Sequence, residues 1–306
     1  MVDDLREFLE VLEEEEVLRV VNDADWNLEI GTINELMAER QGPALLFDNI
    51  KDYPQGFRIA TNLTSPEVGQ NMAFCLPEGA TNLECVVDWR DKRKNFQPVK
   101  PTVVEDGPIL ENVMKEDAID IYKFPTPKWH TLDGGRFIGT GVMVITRDPD
   151  EGWVNFGTYR VMIHDKTTLS FYISPGKHGY IIRQKYWAKG EPCPVAMCFG
   201  QDPLLFTMSA MSLPWGISEY DFAGYLKGRG VEVIIDPETG LPIPAKAEIV
   251  ACGFSPLPEV DSRQEGICGG HQGYYATTGI EPVLHIRTLY HRNNPILLGV
   301  PQVKPP

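Results

Sequence analysis

"GTGVMVITRD" at 139–148 and "VNFGTYRVMIHD" at 154–165 decide how the second half of this chain folds. Both are short, rich in β-branched and aromatic residues, and separated by the turn signal "DPDEGW" at 148–153. Comparable runs follow at 168–175 ("TLSFYISP"), 194–200 ("PVAMCFG"), 231–236 ("VEVIID"), 247–255 ("AEIVACGFS") and 282–292 ("PVLHIRTLYHR"). Closely spaced short strands divided by turns predict a barrel or a compact sheet. The run at 154–165 also poses a chemical question. It reads as a strand, yet it carries an amide, Asn155, and a fixed positive charge, Arg160, where alternation asks only for packing residues.

Two helices interrupt the strands, "HGYIIRQKYWAKG" at 178–190 and "SEYDFAGYLKG" at 218–228, each ended by glycine. Upstream, Leu5, Phe8, Leu9 and Leu12 recur at helical spacing and predict an amphipathic helix over about 3–15. "VLRVV" (17–21), "ALLFDNI" (44–50) and "FRIATNL" (57–63) read as strands around a second helix at 27–40. The opening third is thus an alternating α/β layer. A proline- and charge-rich connection over 100–130 marks the boundary, placing an amino-terminal α/β domain at 1–110 and a second domain at 111–306.

With 306 residues the chain buries a large core. Its formal net charge of -15 argues against binding a nucleic-acid backbone, which needs a basic face. No apolar stretch is long enough to cross a bilayer and the acidic amino terminus is unlike a signal peptide, so the expectation is a cytoplasmic protein. Six scattered cysteines without a CxxC pair suggest reduced thiols.

Polar groups that could meet a ligand gather in the second region. Asn155, His178 and Glu219 offer an amide oxygen, an imidazole and a carboxylate, a set suited to manganese or magnesium, although each has an ordinary surface or helix-capping reading. On pattern alone Arg160 reads first as a strand-edge ion-pair residue and only second as a two-pronged clamp for a carboxylate. "SPGKHG" at 174–179 is either a turn or a backbone approach to phosphate. "QEGICGGHQGYY" at 264–275 is too rich in glycine for a helix or strand, and its Cys268 and His271 raise a nucleophile reading that lacks an orienting acid.

Several of these segments, in order and in register, resemble the UbiD family of reversible decarboxylases: "GWVNFGTYRVMIHD" (152–165), "YISPGKHG" (172–179), "SLPWGISEYDFAG" (212–224), "AEIVACGF" (247–254) and "EG...HQGYY" (265–275). "LREFLEVLEE" (5–14), "GPALLFDNI" (42–50) and "DGGRFIGTGVMVITRDPD" (133–150) extend the resemblance over almost the whole chain. It implies an α+β fold, with a small amino-terminal α/β domain and a flavin-binding split β-barrel. The implied cofactor is prenylated FMN, supplied by a prenyl-FMN-making enzyme and anchored through Mn2+ (or Mg2+) with K+ nearby. By motif matching, Asn155, His178 and Glu219 would be the metal ligands. Thr158, Tyr159, Arg160, Lys177, Ser209 and Met211 would complete the cofactor site. Both Asn155 and Arg160 would then project from one strand toward one pocket.

The implied reaction removes or adds carbon dioxide on an aromatic or α,β-unsaturated carboxylic acid, with Arg160 orienting the carboxylate and Glu265 holding Arg160. The resemblance departs in two places. Its proton donor lies five residues after the glutamate matched by Glu265, where this chain has Gly270. Either His271, a water or an acidic group of the substrate then takes its place, or the chain is a non-catalytic or partner subunit of a UbiD-like complex. Members also commonly continue into a further, dimerising domain, expected to be lacking here, which leaves a homo-oligomer or a partner subunit open.

Overall fold

The computed structural model describes residues 2–270, 274–276 and 278–301. The amino-terminal helix runs Leu5–Glu14, started by Asp4, whose side chain accepts from the Glu7 N–H at 2.9 Å. Leu5, Phe8, Leu9 and Leu12 are its buried residues, as their spacing requires. They pack with the helix Glu67–Phe74 against a four-stranded sheet of Leu18–Asn22, Ala44–Asp48, Arg58–Thr61 and Ile296–Gly299. The last of these strands pairs parallel with Arg58–Thr61, so the far end of the described chain returns to the first layer.

A ten-stranded sheet forms the second layer. Along its main path the order is Phe137–Gly139, Val161–Ile163, Thr168–Phe171, Gly279–His291, Ile249–Ser255, Cys193–Phe199, Val142–Arg147 and Val154–Gly157. All of these neighbours are antiparallel. The run that reads "VMVIT" is apolar at nearly every position because both faces of this sheet are covered. Val142 and Val144 enter one core cluster with Met197 and Phe199, while Met143 and Ile145 enter another with Ala196, Cys198 and Tyr220. The curl is helped by a bulge at Cys252/Gly253. A Cβ on Gly253 would lie 2.0 Å from the His285 carbonyl oxygen, so only glycine lets the two strands approach there. The α+β class expected from the sequence holds, as an amino-terminal α/β layer joined to an antiparallel half-barrel.

One expectation is corrected. The segment 154–165 is not a single strand. Val154–Gly157 forms one edge of the large sheet, whereas Val161–Ile163 lies next to the opposite edge. Thr158, Tyr159 and Arg160 are therefore the crossing between the two ends of a split half-barrel, and the three residues leave the ladder because no neighbouring strand is there to pair with them. Three helices escaped the sequence reading for lack of an apolar stripe. Asn82–Lys94 has no buried residue and is held by a Thr81/Glu84 capping box, whereas Pro203–Ala210 is buried on almost all sides. Glu67–Phe74 buries only Gly69 and Ala73.

The two layers are tied by a buried carboxylate. Glu248 accepts from Arg6 Nε at 2.8 Å, from Arg292 at 3.2 Å and from the backbone N–H of Ile296 at 3.1 Å. It is fully buried, so removing it takes the carboxylate from Arg6 and leaves Arg292 with Asp4 alone, at 2.8 Å. Glu248→Ala is expected to destabilise the chain by about 3 kcal/mol, read as a lower urea midpoint. An unchanged midpoint would show that the arginines find other partners.

Candidate functional site

At the edge strand Val154–Gly157 the side chain of Asn155 points into a buried junction with the helix Glu219–Lys227. Asn155 Nδ2 donates to Glu219 Oε1 at 3.0 Å, and the next backbone N–H, of Phe156, donates to Glu219 Oε2 at 2.9 Å. Glu219 is the first residue of its helix, so the two contacts set that helix start against the sheet edge. Burial raises the Glu219 carboxyl to about 8, partly offset by these hydrogen bonds. Asn155 Oδ1 is buried without a hydrogen-bond partner. A carboxylate stripped of water beside an orphaned amide oxygen is an arrangement that a hard cation would satisfy.

These groups face a cavity of ≈ 470 Å3. Thr158, Tyr159, Lys177, His178, Ser209 and Met211 line it together with Asn155 and Glu219. Thus every residue expected around the cofactor lies on this one cavity except Arg160. His178 begins the helix His178–Ala188, and its ring is pinched edge-on by Trp215 at 5.2 Å and Trp153 at 5.6 Å. Burial and Lys177 both lower its pKa, which favours the neutral imidazole a metal needs. Tyr159 packs against Gly157 and Gly179, where an added Cβ would come within 2.4 and 2.9 Å of its hydroxyl, and burial pushes the phenol up to about 12. The Thr158 N–H donates to the Ser209 carbonyl at 3.0 Å, fixing the crossing to the helix Pro203–Ala210. Among the described residues no group of three or more His, Cys, Asp or Glu is arranged to hold a metal. Any ion here would depend on the amide oxygen as well.

Arg160 faces elsewhere. Its Nε donates to Glu265 Oε1, and its guanidinium lies 5.0 Å from the ring centroid of Tyr172. Glu265 is fully buried; burial pushes its carboxyl up to about 7 against the pull of Arg160. Arg160 lines a second cavity, of ≈ 260 Å3, with Trp129, His130, Asp133, Thr158 and Cys268. Asn155 and Arg160 therefore serve two adjoining cavities rather than projecting from one strand into one pocket, and Thr158 is the wall common to both. Burial pushes the Cys268 thiol up to about 12, which disfavours the thiolate that a nucleophile needs. Gly270 lines a third cavity beside it. His271 lies outside the described residues. His130 escaped the sequence reading because it ends the 100–130 connection, whose composition signals only a loop, and Asp133 opens the quoted stretch 133–150 without a role assigned to it.

A family model described as the 3-octaprenyl-4-hydroxybenzoate carboxy-lyase Rift-related domain matches residues 102–305, and that enzyme's N-terminal domain matches 9–86. A pyrrole-2-carboxylic acid decarboxylase of Pseudomonas aeruginosa is 34% identical over 303 residues, covering 96% of this chain and 60% of its own. Ferulic acid decarboxylase 1 of Saccharomyces cerevisiae is 30% identical, over 96% of this chain and 61% of its own. The chain thus spans about three fifths of the length of these curated relatives. An evolved dimeric form of the UbiD-class enzyme HmfF from Pelotomaculum thermopropionicum, solved with prFMN, superimposes with a TM-score of 0.89 at 26% identity, covering 99% of this chain and 68% of that one. Vanillic acid decarboxylase of Sedimentibacter hydroxybenzoicus in closed form gives 0.90 at 28%, covering 99% and 66%. No helix among the described residues is long and apolar enough to cross a membrane.

Any carboxylate taken up beside Arg160 would sense the Arg160–Glu265 pair, with a definite sign in pH. Above about 7 Glu265 is ionised and neutralises Arg160; as pH falls through that value the carboxyl protonates and the guanidinium turns its full charge to the cavity. Benzoate, still an anion at pH 6, is expected to bind about three- to tenfold more tightly there than at pH 8, measured by calorimetry. The difference should shrink in Glu265→Gln, and equal affinities at both pH values in the unmodified protein would refute the coupling.

Proposed function

Because this chain belongs to the UbiD family of carboxy-lyases, we propose that it carries out prenylated-FMN-dependent, reversible decarboxylation of an aromatic or α,β-unsaturated carboxylic acid. The observation that supports this reading is the meeting of Asn155, His178 and Glu219 on one cavity that adjoins, across Thr158, the cavity of Arg160. The first has room for the phosphate end of a flavin and the second for a small planar acid. The relatives' names point the same way, since they describe decarboxylases of pyrrole-2-carboxylic, ferulic and phenolic acids.

In this reading Asn155 Oδ1, the His178 imidazole and the Glu219 carboxylate would hold Mn2+ or Mg2+, which would supply positive charge for the cofactor phosphate. Such a cation would favour the charged form of Glu219, which burial opposes. Lys177, next to His178 in the chain, adds positive charge on the same cavity, and the main chain around Ser209 and Met211 would be where K+ is held. The bound flavin supplies the electron sink for the carbon that loses carbon dioxide. Arg160 draws the substrate carboxylate to one end of its cavity, and Glu265 fixes the angle of the guanidinium. Apolar surface from Trp129, Phe206 and Val300 keeps water from the breaking bond.

A second reading has a specific observation behind it. Gly270 carries no proton, so a chain that binds the flavin without turning over would act as a partner subunit of a UbiD-like complex. Production together with a prenyl-FMN-making enzyme separates the two. Turnover of pyrrole-2-carboxylate, ferulate or another aromatic acid supports the enzyme, and bound flavin with no turnover across the panel supports the subunit. Independently, Glu219→Gln is expected to lower divalent-metal content about tenfold or more while shifting the urea midpoint little. Full metal content in that variant would remove Asn155, His178 and Glu219 as the ligand set.

A further inference from the structure

Two tryptophans pack on His178 without belonging to any of the apolar clusters that fill the described chain. Trp153 is half-buried, and Trp215 is 37% exposed. Their contacts, rather than their burial, set them apart. Trp215 meets the imidazole at 5.2 Å between ring centroids and 85°, Trp153 meets it at 5.6 Å and 87°, and the indoles meet each other at 5.0 Å and 79°. Three edge-on contacts thus close a triangle of rings.

Each corner of the triangle comes from the segment of a different residue of the cation reading. His178 is itself one of them. Trp153 immediately precedes the strand Val154–Gly157, which carries Asn155, and Trp215 lies four residues before Glu219. The stretch after Trp215 is stiff, because the Ile217 N–H donates to the Pro214 carbonyl at 3.2 Å and Gly216 takes φ 84°, as a type II turn requires at that position. Little slack remains before the helix Glu219–Lys227. Polar contacts brace the same hub. Trp215 Nε1 donates to Glu151 Oε1 at 3.0 Å, in the turn just before Trp153. On the helix of His178, the Lys185 ammonium lies 4.9 Å from the Trp215 ring centroid and donates to Asp148 Oδ2 at 2.6 Å. Trp215 therefore touches both the segment of Asn155 and the helix of His178, and is tied by its own turn to Glu219.

Ligands drawn from three separate elements hold one ion only if their mutual placement is kept to within about 0.5 Å, and the groups behind them set that tolerance. On the cation reading above, on which this rests, we propose that Trp215, together with Trp153, is a positioning residue that keeps His178 in register with Asn155 and Glu219 for a divalent cation. The indoles give no electron pair to the ion. They restrain the plane of the imidazole and tie the start of one helix to the edge strand and to the other helix. An imidazole freed from Trp215 has to be ordered again when the ion binds, and that cost appears in the affinity.

The test has two arms. Mn2+ is titrated, with FMN present, into protein stripped of metal by a chelator, and free Mn2+ is read from its electron paramagnetic resonance signal. Trp215→Leu should weaken binding about tenfold, whereas Trp215→Phe, which keeps a ring at that place, should stay within about threefold of the unmodified protein. In the second arm no metal is added. The ring-proton resonances of His178, assigned by their loss in His178→Gln, should move in Trp215→Leu, because the indole's ring current is gone. If Trp215→Leu binds Mn2+ within about threefold of the unmodified protein, or if Trp215→Phe loses as much as Trp215→Leu, the proposal is wrong. An unmoved His178 resonance in Trp215→Leu also overturns it. Binding that survives in Trp215→Leu leaves Asn155, His178 and Glu219 standing as the ligand set, whereas an unmodified protein that takes up no Mn2+ removes that set and the positioning role with it.

Discussion

The buried carboxylate of Glu219 is the constraint around which the site is assembled. Its two oxygens take one donor from the Asn155 side chain and one from the backbone of Phe156, so a helix start and a sheet edge are held in register by a single group. The hydrophobic core on that side continues the same junction, because Phe156 packs on Tyr220 with ring centroids 4.7 Å apart. Desolvation opposes the negative charge there, and the hydrogen bonds offset only part of it. A site built this way is short of positive charge, and its geometry favours whatever ion or proton supplies it.

The split in the half-barrel explains why two kinds of chemistry stand side by side. A closed sheet would pair Thr158, Tyr159 and Arg160 into a ladder and fill the interior with their neighbours. Here the chain crosses from one edge to near the other in three residues, and the gap remains open. Thr158 is anchored to Ser209, Tyr159 fills the space left by two glycines, and Arg160 is left to reach Glu265. Each residue of the crossing thereby faces a different environment, although they are adjacent in the chain.

Electrostatics divides the two cavities further. Around Glu219 burial opposes a negative charge. Around Arg160 a cation is already present, and the buried Glu265 moderates it, with an ionisation displaced upward into the neutral range. The Asp133 carboxylate performs a third task, stapling the segment of His130 to the glycine loop through two backbone N–H groups. These three carboxylates are all buried, and none is legible as such from its position in the sequence.

Local pattern marked what local pattern controls. The stripe of Leu5, Phe8, Leu9 and Leu12, the glycine-ended helices and the spacing of short strands each depend on neighbours within a turn or two, so the α+β class and most element types were readable, and several motifs in register pointed to the UbiD family. Helices without a stripe, such as Asn82–Lys94 and Pro203–Ala210, were not readable, because one is exposed and the other buried nearly all round. Nor was the break at Thr158, since a strand that ends for want of a partner looks the same in sequence as one that continues. The sequence by itself determined the residue types available for a cation, a carboxylate and a proton. Only the tertiary structure decided which of them share a cavity, since Asn155 meets Glu219 and His130 meets Gly269 across separations in the chain that no period or propensity encodes.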